Sequence, residues 1–314
     1  MPRKLFLTFD VEDFISRGSI SALQTVLESL KKYHLDALFF ITGHMAEKLR
    51  DFPQVLEMLS EHQIGYHSSS HSVHPTIVEF TDVEDYEKAC EISLKRETSH
   101  INPLTGEIER IGGINTLRDL FPDKQIAAAF RAPGNCWSPP HLEALKTLGI
   151  IYDFSANLSR SAVDFKGVTF YPYQVIGQLE GKLSDYRTLF LSLRREVVVI
   201  NMHPSLLFYK NEWDAIYHKS NPQKLIEPPM RSRAEIEMLI NKFDAFLKEI
   251  SYLQKIGLLE VTPQPKRADR KAVVSRGNVE KCYRESIKWA LKQEYKPKFI
   301  RSHFFRFFEV QEQE

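Results

Sequence analysis

Carboxylates cluster where the first apolar run of the chain ends. Residues 4–9 have the character of a buried strand, and Asp10, Glu12 and Asp13 follow directly. Three carboxylates so close together repel one another, so a metal ion or an arginine is the expected partner. The structural alternative is that one of them caps a helix N-terminus or lies in a solvated turn.

Two histidines follow another predicted strand, residues 63–66. His67 and His71 are four positions apart, and in a helical segment both imidazoles could reach one divalent ion. Two nitrogens and one carboxylate oxygen leave open positions on a metal, which is typical of catalytic zinc sites. The histidine pair alone is weak evidence for a metal site, because histidines are common surface residues. His74, which precedes Pro75, is interpreted as a loop residue.

Two further strand ends carry reactive side chains. Arg131 could pair with an acid that must stay ionised beside a metal. Pro133 and Gly134 would hold the next loop open, so that a backbone N–H could point at a developing oxyanion. His203, fixed by Pro204, is suited to proton transfer near neutral pH. Each residue alone also fits a structural role, as a surface arginine in a turn or a structural histidine.

The elements that must position these residues are short apolar runs alternating with segments of helical period. The predicted strands are residues 4–9, 37–41, 63–66, 127–130, 150–154, 169–171 and 196–201, and the predicted helices are residues 19–33, 53–61 and 140–148. About six to eight such units fit a closed or nearly closed β/α barrel better than a doubly wound open sheet. Barrel active sites lie at the carboxyl ends of the strands, where the side chains above fall.

Composition excludes several classes of protein. The 314 residues hold 42 Lys+Arg against 41 Asp+Glu and are 43% hydrophobic, which is typical of a soluble globular protein. This balance argues against a basic nucleic-acid binder or an acidic disordered chain. Three widely spaced cysteines without a CxxC pair suit a reducing compartment. No apolar run resembles a secretory signal or spans a bilayer, so the expected location is cytoplasmic.

Charge divides the chain near residue 263. Residues 264–314 hold 13 Lys+Arg and 7 Asp+Glu, a net charge of +6, whereas the rest has a net charge of −5. We predict a barrel over residues 1–263, with an insertion at about residues 75–126 that forms a surface excursion or lid. Residues 264–314 form a basic, aromatic helical extension.

The tail segment KPKFIRSHFFRFF, residues 296–308, combines basic and aromatic residues. Such a segment could make peripheral contact with the inner face of a membrane. The alternative, which we favour, is that Phe299, Phe304 and Phe308 pack on the barrel. The sequence leaves the oligomeric state open.

Together, the strand-end motifs resemble those of the polysaccharide deacetylases with the NodB homology domain, carbohydrate esterase family 4. The resemblance covers about residues 3–205. Its segments are Thr8-Phe9-Asp10, ALFFITG (37–43), EHQIGYHSSSH (61–71), FRAP (130–133), residues 145–155 and VINMHP (199–204). It implies a distorted, TIM-like (β/α)7 barrel of the NodB type. It also implies a metal-dependent hydrolase that removes an N-acetyl or other N-acyl group from an amino sugar.

The resemblance also implies a role for individual residues. The general base falls on Asp10, the metal ligands on His67, His71 and an acid just after the base, the arginine that orients the base on Arg131, and the general acid on His203. The implied metal is zinc, with cobalt, manganese or nickel as alternatives. The implied partner is an N-acetylated saccharide or a glycan precursor reachable from the cytoplasm, and no nucleic acid.

This chain departs from the family pattern at two places. Many members have two adjacent acids, whereas Val11 separates Asp10 from Glu12 here. We take Glu12 as the metal ligand and Asp13 as its reserve. Gly134 stands where many members of the family carry a tyrosine. Its backbone N–H could still bind the oxyanion, but the contact made by the tyrosine side chain is lost.

Three further assignments complete the expected site. Asp153 is the candidate for the family's acid that tunes the histidine of the last motif, here His203. Trp137 or Leu206 would form a wall of the acyl-methyl pocket. Two alternative functions stay open. One is a cyclic-amide or formamide hydrolase of the same fold, in which the acidic motif is degraded; the retained Asp10 favours the deacetylase. The other is an inactive carbohydrate-binding or membrane-associated protein.

Overall fold

The computed structural model describes residues 3–71, 83–122, 126–172, 174–175, 196–214, 225–268, 274–292 and 300–309. The strands are β1 (Arg3–Val11), β2 (Leu38–Ile41), β3 (Gln63–Tyr66), β4 (Ser99–Ile101), β5 (Ile108–Ile111), β6 (Ile126–Phe130), β7 (Tyr152–Asp153), β8 (Val163–Phe165), β9 (Val168–Phe170), β10 (Gln174–Val175), β11 (Val197–Met202) and β12 (Leu259–Val261). The helices are α1 (Ser19–Tyr33), α2 (Gly43–Leu49), α3 (Pro53–Leu59), α4 (Tyr86–Glu97), α5 (Ile114–Leu120), α6 (Pro139–Thr147), α7 (Arg233–Lys255), α8 (Arg276–Lys292) and α9 (Arg301–Glu309). Short 3-10 turns at Pro133–Asn135 and Pro204–Leu207 follow β6 and β11.

Ten of these strands form one sheet with β1 near its middle. The order is β10-β11-β1-β2-β3-β6-β7-β9-β8, and β12 also pairs with β1. All pairings are parallel except that of β8 with β9. Since parallel strands need crossover connections, helices cover the outer face, as the alternating sequence pattern predicts.

Aromatic contacts show that this sheet is curled. The ring of Phe6 in β1 lies 5.5 Å from that of Phe154, just after β7, although β2, β3 and β6 separate the two strands in the sheet. Tyr171, just after β9, lies 5.1 Å from the same Phe6 ring. The sheet is thus a half-barrel whose interior these rings fill. The predicted α/β fold class with a barrel-like parallel sheet is confirmed.

Alternation along β1 decides which side chains reach the barrel interior. Phe6 belongs to the interior cluster, while Leu5, Leu7 and Phe9 pack outward in the larger core that includes the helices. Because side chains of a strand point to opposite faces in turn, Asp10 shares the inner face with Phe6. The strand therefore places the carboxylate of Asp10 at the mouth of the barrel.

The predicted insertion contains both buried and exposed segments. Among its described residues, 83–122, α4 packs along α6, and β4 and β5 form an antiparallel hairpin apart from the main sheet. Glu97, Ile101 and Leu117 are buried, whereas every residue of β5 is exposed. The bounds of the insertion and its role as a surface excursion or lid stay predictions. The polar composition of this segment obscured the few buried positions that anchor it.

The C-terminal helices pack on the same body. In α8, Val279 and Tyr283 are fully buried. In α9, Phe304 is buried, as the packing alternative expects, and the Phe307 ring lies 6.3 Å from that of Trp137. Phe299 and the side chain of Phe308 lie outside the described residues. The division near residue 263 stays a prediction.

Among the helices that the structure describes, none has both the length and the apolar character that crossing a membrane requires.

Candidate active site

Asp10 lies at the centre of a buried hydrogen-bond network. Arg131 Nη1 donates to Asp10 Oδ1 (2.8 Å), and Asn201 Nδ2 donates to Asp10 Oδ2 (2.8 Å). Arg131 Nη1 also lies within donor distance of Asn201 Oδ1 (2.6 Å) and Thr8 Oγ1 (2.9 Å). Thr8 and Asn201 are register partners on β1 and β11. The network fixes the carboxylate in one orientation and leaves Oδ2 facing the histidines.

The surroundings of Arg131 keep its charge beside Asp10. The guanidinium is 1% exposed and lies 4.5 Å from the centroid of the Phe40 ring, a cation–π contact. Burial acts to raise the pKa of Asp10, but the charges of Arg131, His67 and His203 outweigh it and hold the pKa below its usual value. Asp10 is therefore a carboxylate that stays ionised and is held in one orientation.

Glu12 and two histidines converge on one point. Glu12 Oε2 lies 2.9 Å from His67 Nε2 and 2.9 Å from His71 Nε2, and all three side chains are buried. Burial acts to raise the pKa of Glu12, but His71 and His203 hold it well below the usual range. A carboxylate oxygen and two imidazole nitrogens form a donor set that zinc or a similar cation takes, with positions left open. The residues present therefore fit the metal that the family implies.

Neighbouring groups orient this donor set. His67 Nδ1 lies 2.7 Å from the carbonyl oxygen of Arg131, and Trp213 Nε1 donates to Glu12 Oε1 (3.3 Å). Hydrogen bonds of this kind fix the ring and the tautomer of a metal-binding histidine. The loop after β6 therefore serves both the base and the metal ligands.

Asp13, the reserve ligand, has a different place. Its Oδ1 accepts a hydrogen bond from the backbone N–H of Ser16 (2.9 Å), so it caps the turn that follows β1. Lys48 Nζ fixes the same turn by donating to the carbonyl oxygens of Phe14 (3.1 Å) and Ser16 (2.8 Å). Of the two acids, Glu12 is the one that faces the histidines.

The loop that carries the two histidines is not helical. Ser68 has φ 66° and His71 has φ 48°, so two non-glycine residues adopt the left-handed region. The two imidazoles do meet, as their spacing predicts, but a tight reversal of residues 67–71 rather than a helical turn brings them together. Such conformations cost free energy and persist where neighbouring contacts enforce them.

Glu97 at the end of α4 supplies these contacts. Its Oε2 accepts hydrogen bonds from Tyr66 Oη (2.7 Å) and from the backbone N–H of Ser69 (2.9 Å), between the two histidines. His141 Nε2 lies 3.0 Å from Glu97 Oε1. Ser69 Oγ also donates to the carbonyl of Ser99 in β4. Sequence reasoning missed Glu97 because it lies in the supposed surface excursion.

We expect Glu97→Ala to weaken metal binding by about 10- to 100-fold, the range found when residues that support metal ligands are removed. The change leaves the Ser69 N–H without its acceptor, and the Tyr66 hydroxyl keeps only the backbone carbonyl of residue 97 (3.0 Å), so the strained loop relaxes. Competition with a zinc-chelating dye measures the affinity. Glu91→Ala, on the exposed side of α4, is the matched control and should bind as the wild type does. Equal affinity for both variants would refute the anchoring role.

His203 lies at the open side of the site. Its side chain is 20% exposed, and its Nε2 lies 3.6 Å from Asp10 Oδ2 and 4.0 Å from Glu12 Oε1. Burial acts to lower the pKa of His203, but Glu12, Asp10 and Glu212 outweigh it and raise the pKa above its usual value. The imidazole is thus held near Asp10 and Glu12 and remains within reach of solvent.

Residues 212–214 contribute side chains that sequence reasoning missed. Besides its bond to Glu12, the Trp213 ring lies 5.3 Å from that of His71, and the charges of Glu212 and Asp214 act on His203 and His71. Burial raises the pKa of Glu212. A pattern in the sequence that could have revealed them is the acid–tryptophan–acid order soon after the closing histidine motif.

Asp153 connects two loops near the site. Its Oδ1 accepts hydrogen bonds from the backbone N–H groups of Ser155 (2.8 Å) and Ala156 (2.9 Å). Ser155 Oγ in turn accepts from the Ala132 N–H (2.7 Å), next to Arg131. Asp153 therefore ties the loop after β7 to the loop after β6. Its assignment as the acid that tunes His203 stays a prediction.

The expected pocket residues occupy two loops. Gly134 is exposed and left-handed, with φ 57°. Trp137 is buried, and its backbone N–H donates to Ser286 Oγ of α8 (3.1 Å). Leu206 is buried in the 3-10 turn that follows His203. Their roles toward an oxyanion and an acyl group stay predictions.

Comparison with known proteins matches part of the chain to a family. Residues 1–152 match the sequence model of a family described as polysaccharide deacetylase. No curated protein matches the chain.

Several solved structures resemble the chain at a distance. A protein from Mycobacterium smegmatis described as a polysaccharide deacetylase is 14% identical, with a TM-score of 0.44 over 85% of this chain and 94% of that chain. A CE4 esterase from Streptococcus mutans is 16% identical, with a TM-score of 0.40 over 82% and 85%. A mutant of a CE4 family pseudoenzyme is 12% identical, with a TM-score of 0.39 over 83% and 65%.

These structural likenesses carry no argument about activity, so the family rests on the sequence model. Residues 1–152 of the chain are therefore similar to the polysaccharide deacetylase family, whose members are hydrolases that act on carbon–nitrogen bonds in carbohydrates.

Proposed function

We propose that the chain hydrolyses the N-acetyl group of an amino sugar in a saccharide or glycan precursor, with help from a divalent cation. The observation that carries the proposal is the meeting of an oriented carboxylate, Asp10, with a histidine, His203, 3.6 Å away, beside the donor set Glu12, His67 and His71. Hydrolysis of an amide needs a base for water, an acid for the leaving amine and stabilisation of the oxyanion. The site contains candidates for all three.

Zinc is the proposed ion, with cobalt, manganese or nickel as alternatives, and Glu12, His67 and His71 would hold it. Bound there, a divalent cation would polarise the amide carbonyl and lower the pKa of water at the site. Asp13 is excluded from this role in our proposal because it caps the turn at Ser16.

The protein's own groups perform the proton transfers. Asp10 Oδ2 accepts the proton of the attacking water, while Arg131 and Asn201 hold the carboxylate in place. His203 donates a proton to the nitrogen of the leaving amine. We propose that the Gly134 N–H contributes to binding the oxyanion, a contribution of about 3–4 kcal/mol for a good donor. Trp137 and Leu206 are the proposed walls of the acetyl pocket.

A screen for acetate release tests this function. The substrates are N-acetylglucosamine, chito-oligosaccharides, N-acetylated sugar nucleotides and lipid-linked N-acetylated sugars, each with zinc, cobalt, manganese or nickel. We expect acetate from at least one class, loss of activity on chelation and recovery when metal is restored. His67→Ala should bind less metal and release no acetate, whereas His34→Asn, at the exposed C-terminus of α1, should behave as the wild type does.

Other products would support the alternatives. Formate release, or the opening of a cyclic amide, would favour a formamide or cyclic-amide hydrolase of the same fold. Metal binding without hydrolysis of any of these compounds would favour an inactive binding protein. The cytoplasmic location, and contact of residues 296–308 with a membrane, stay predictions; co-sedimentation with liposomes tests the latter.

A further inference from the structure

A second group of potential ligands lies outside the site described above. His44 and Glu47 are three residues apart in α2 and so share one face of the helix, and His100 lies opposite them in β4. One donor atom from each of the three side chains lies within 4.8 Å of the others. Glu12, His67 and His71 do not belong to this group.

His44 carries the strongest sign that something binds here. Its side chain is 5% exposed, and within the described part of the chain its Nε2 has no hydrogen-bond partner. A buried polar atom without a partner costs free energy, and native structures rarely leave one without a reason.

The other two side chains are arranged as ligands usually are. His100 Nδ1 lies 2.9 Å from Glu47 Oε1, and its Nε2 lies 3.5 Å from Glu109 Oε2. A carboxylate on the far nitrogen is the usual support of a metal-binding histidine. Arg110 donates to Glu47 Oε2 (2.9 Å), which leaves Oε1 as the oxygen for an ion.

The group is accessible from solvent. A cleft of about 650 Å³ is lined by His44, Glu47 and His100, together with Phe14 and Lys48. The Phe14 ring lies 4.6 Å from that of His44 and 5.2 Å from that of Trp213. The cleft therefore adjoins residues 212–214, which lie beside the candidate active site. An ion can therefore enter without unfolding of the hairpin.

We propose that His44, Glu47 and His100 form a second divalent-cation site, which clamps the β4–β5 hairpin onto α2. Two nitrogens and one carboxylate oxygen favour zinc or a similar borderline metal over calcium or magnesium. The hairpin leads to Gly113, next to the loop that bears His67 and His71. The second ion would thus brace the wall behind the active site without contacting the substrate.

Counting bound metal tests the proposal separately from the proposed function. The metal-free full-length chain is titrated with Zn²⁺ in a calorimeter, and bound zinc is measured after gel filtration. We expect two equivalents for the wild type, one for His67→Ala, and one for each of His44→Gln, Glu47→Gln and His100→Ala. His34→Asn is the control and should bind two. Circular dichroism checks that each variant is folded.

Two results would overturn the second site. One is a single equivalent in the wild type that disappears in His67→Ala. The other is two equivalents retained in folded His100→Ala and Glu47→Gln. A single equivalent that survives His67→Ala and disappears in His100→Ala would instead support this site and contradict the metal of the proposed function.

Discussion

Replacing Asp10 by asparagine should lower kcat for acetate release by about 10²- to 10⁴-fold, the usual contribution of a general base. Asparagine has the same shape as aspartate but no basic oxygen at neutral pH. Its amide nitrogen would also face the Nδ2 group of Asn201, which now donates to Asp10 Oδ2. The variant therefore loses the proton acceptor and part of the network that orients it.

The matched control for this experiment is Asp13→Asn. Asp13 is equally buried and three residues away, but it caps the turn at Ser16 and does not face the histidines. We expect it to lose stability while its kcat stays within a few-fold of the wild-type value. Initial rates at saturating substrate and metal measure both variants. Wild-type kcat in Asp10→Asn would contradict the assignment of the base.

Removing Arg131 should have the largest effect on stability. Arg131→Met keeps the length of the side chain but leaves the buried Asp10 carboxylate without its main counter-charge. Breaking one partner of a buried ion pair costs about 3–5 kcal/mol. We expect a loss of this size in the free energy of unfolding, measured by urea denaturation of the metal-free protein at pH 7.

A double variant separates loss of the ion pair from loss of packing. In Asp10→Asn/Arg131→Met no charge is stranded, so much of the lost stability should return. If the double variant were as unstable as the sum of the single variants, the Asp10–Arg131 pair would not be the cause. A loss below about 1 kcal/mol in Arg131→Met would contradict the prediction directly.

The pH dependence gives a second check with a definite sign. In the wild type the pKa of Asp10 is lowered from 3.8, so its contribution to stability is present above that value and is lost as the pH falls through the folded-state pKa. Without Arg131, burial dominates and the folded-state pKa rises. The folded variant then gains protons on acidification, so its deficit relative to the wild type should shrink between pH 7 and about pH 4.

The sequence predicts the barrel and its central residues because strand ends in a parallel sheet meet at one edge. Asp10, Arg131 and His203 each follow a strand, and the structure brings all three together. Asn201 escaped notice although it lies two residues before His203, on the same inner face of β11. Because the side chains of a strand point to its two faces in turn, the predicted strand already places Asn201 on the same face as His203.

Other parts of the site depend on tertiary contacts that no local pattern encodes. Ser68 and His71 are not glycines, so nothing in their type indicates a left-handed backbone. Glu97 binds Tyr66 and Ser69 from a helix whose sequence is mostly polar. The hydrogen bonds from Ser155 to the carboxylate of Asp153 likewise follow from the shape of the loop after β7, which no sequence pattern indicates.

The central place of β1 has a consequence for the order in which the protein can mature. β1 precedes the other strands along the chain, yet Lys4 pairs with Val197 in β11 and Arg3 pairs with Leu259 in β12. A growing polypeptide therefore carries Asp10 and Glu12 on a strand that lacks two of its three partner strands until residues 197–261 have been synthesised. Contacts so distant in sequence form slowly. Nascent chains that end before β11 lack Asn201 and His203 beside Asp10, so the proposed activity should be absent until those residues are added.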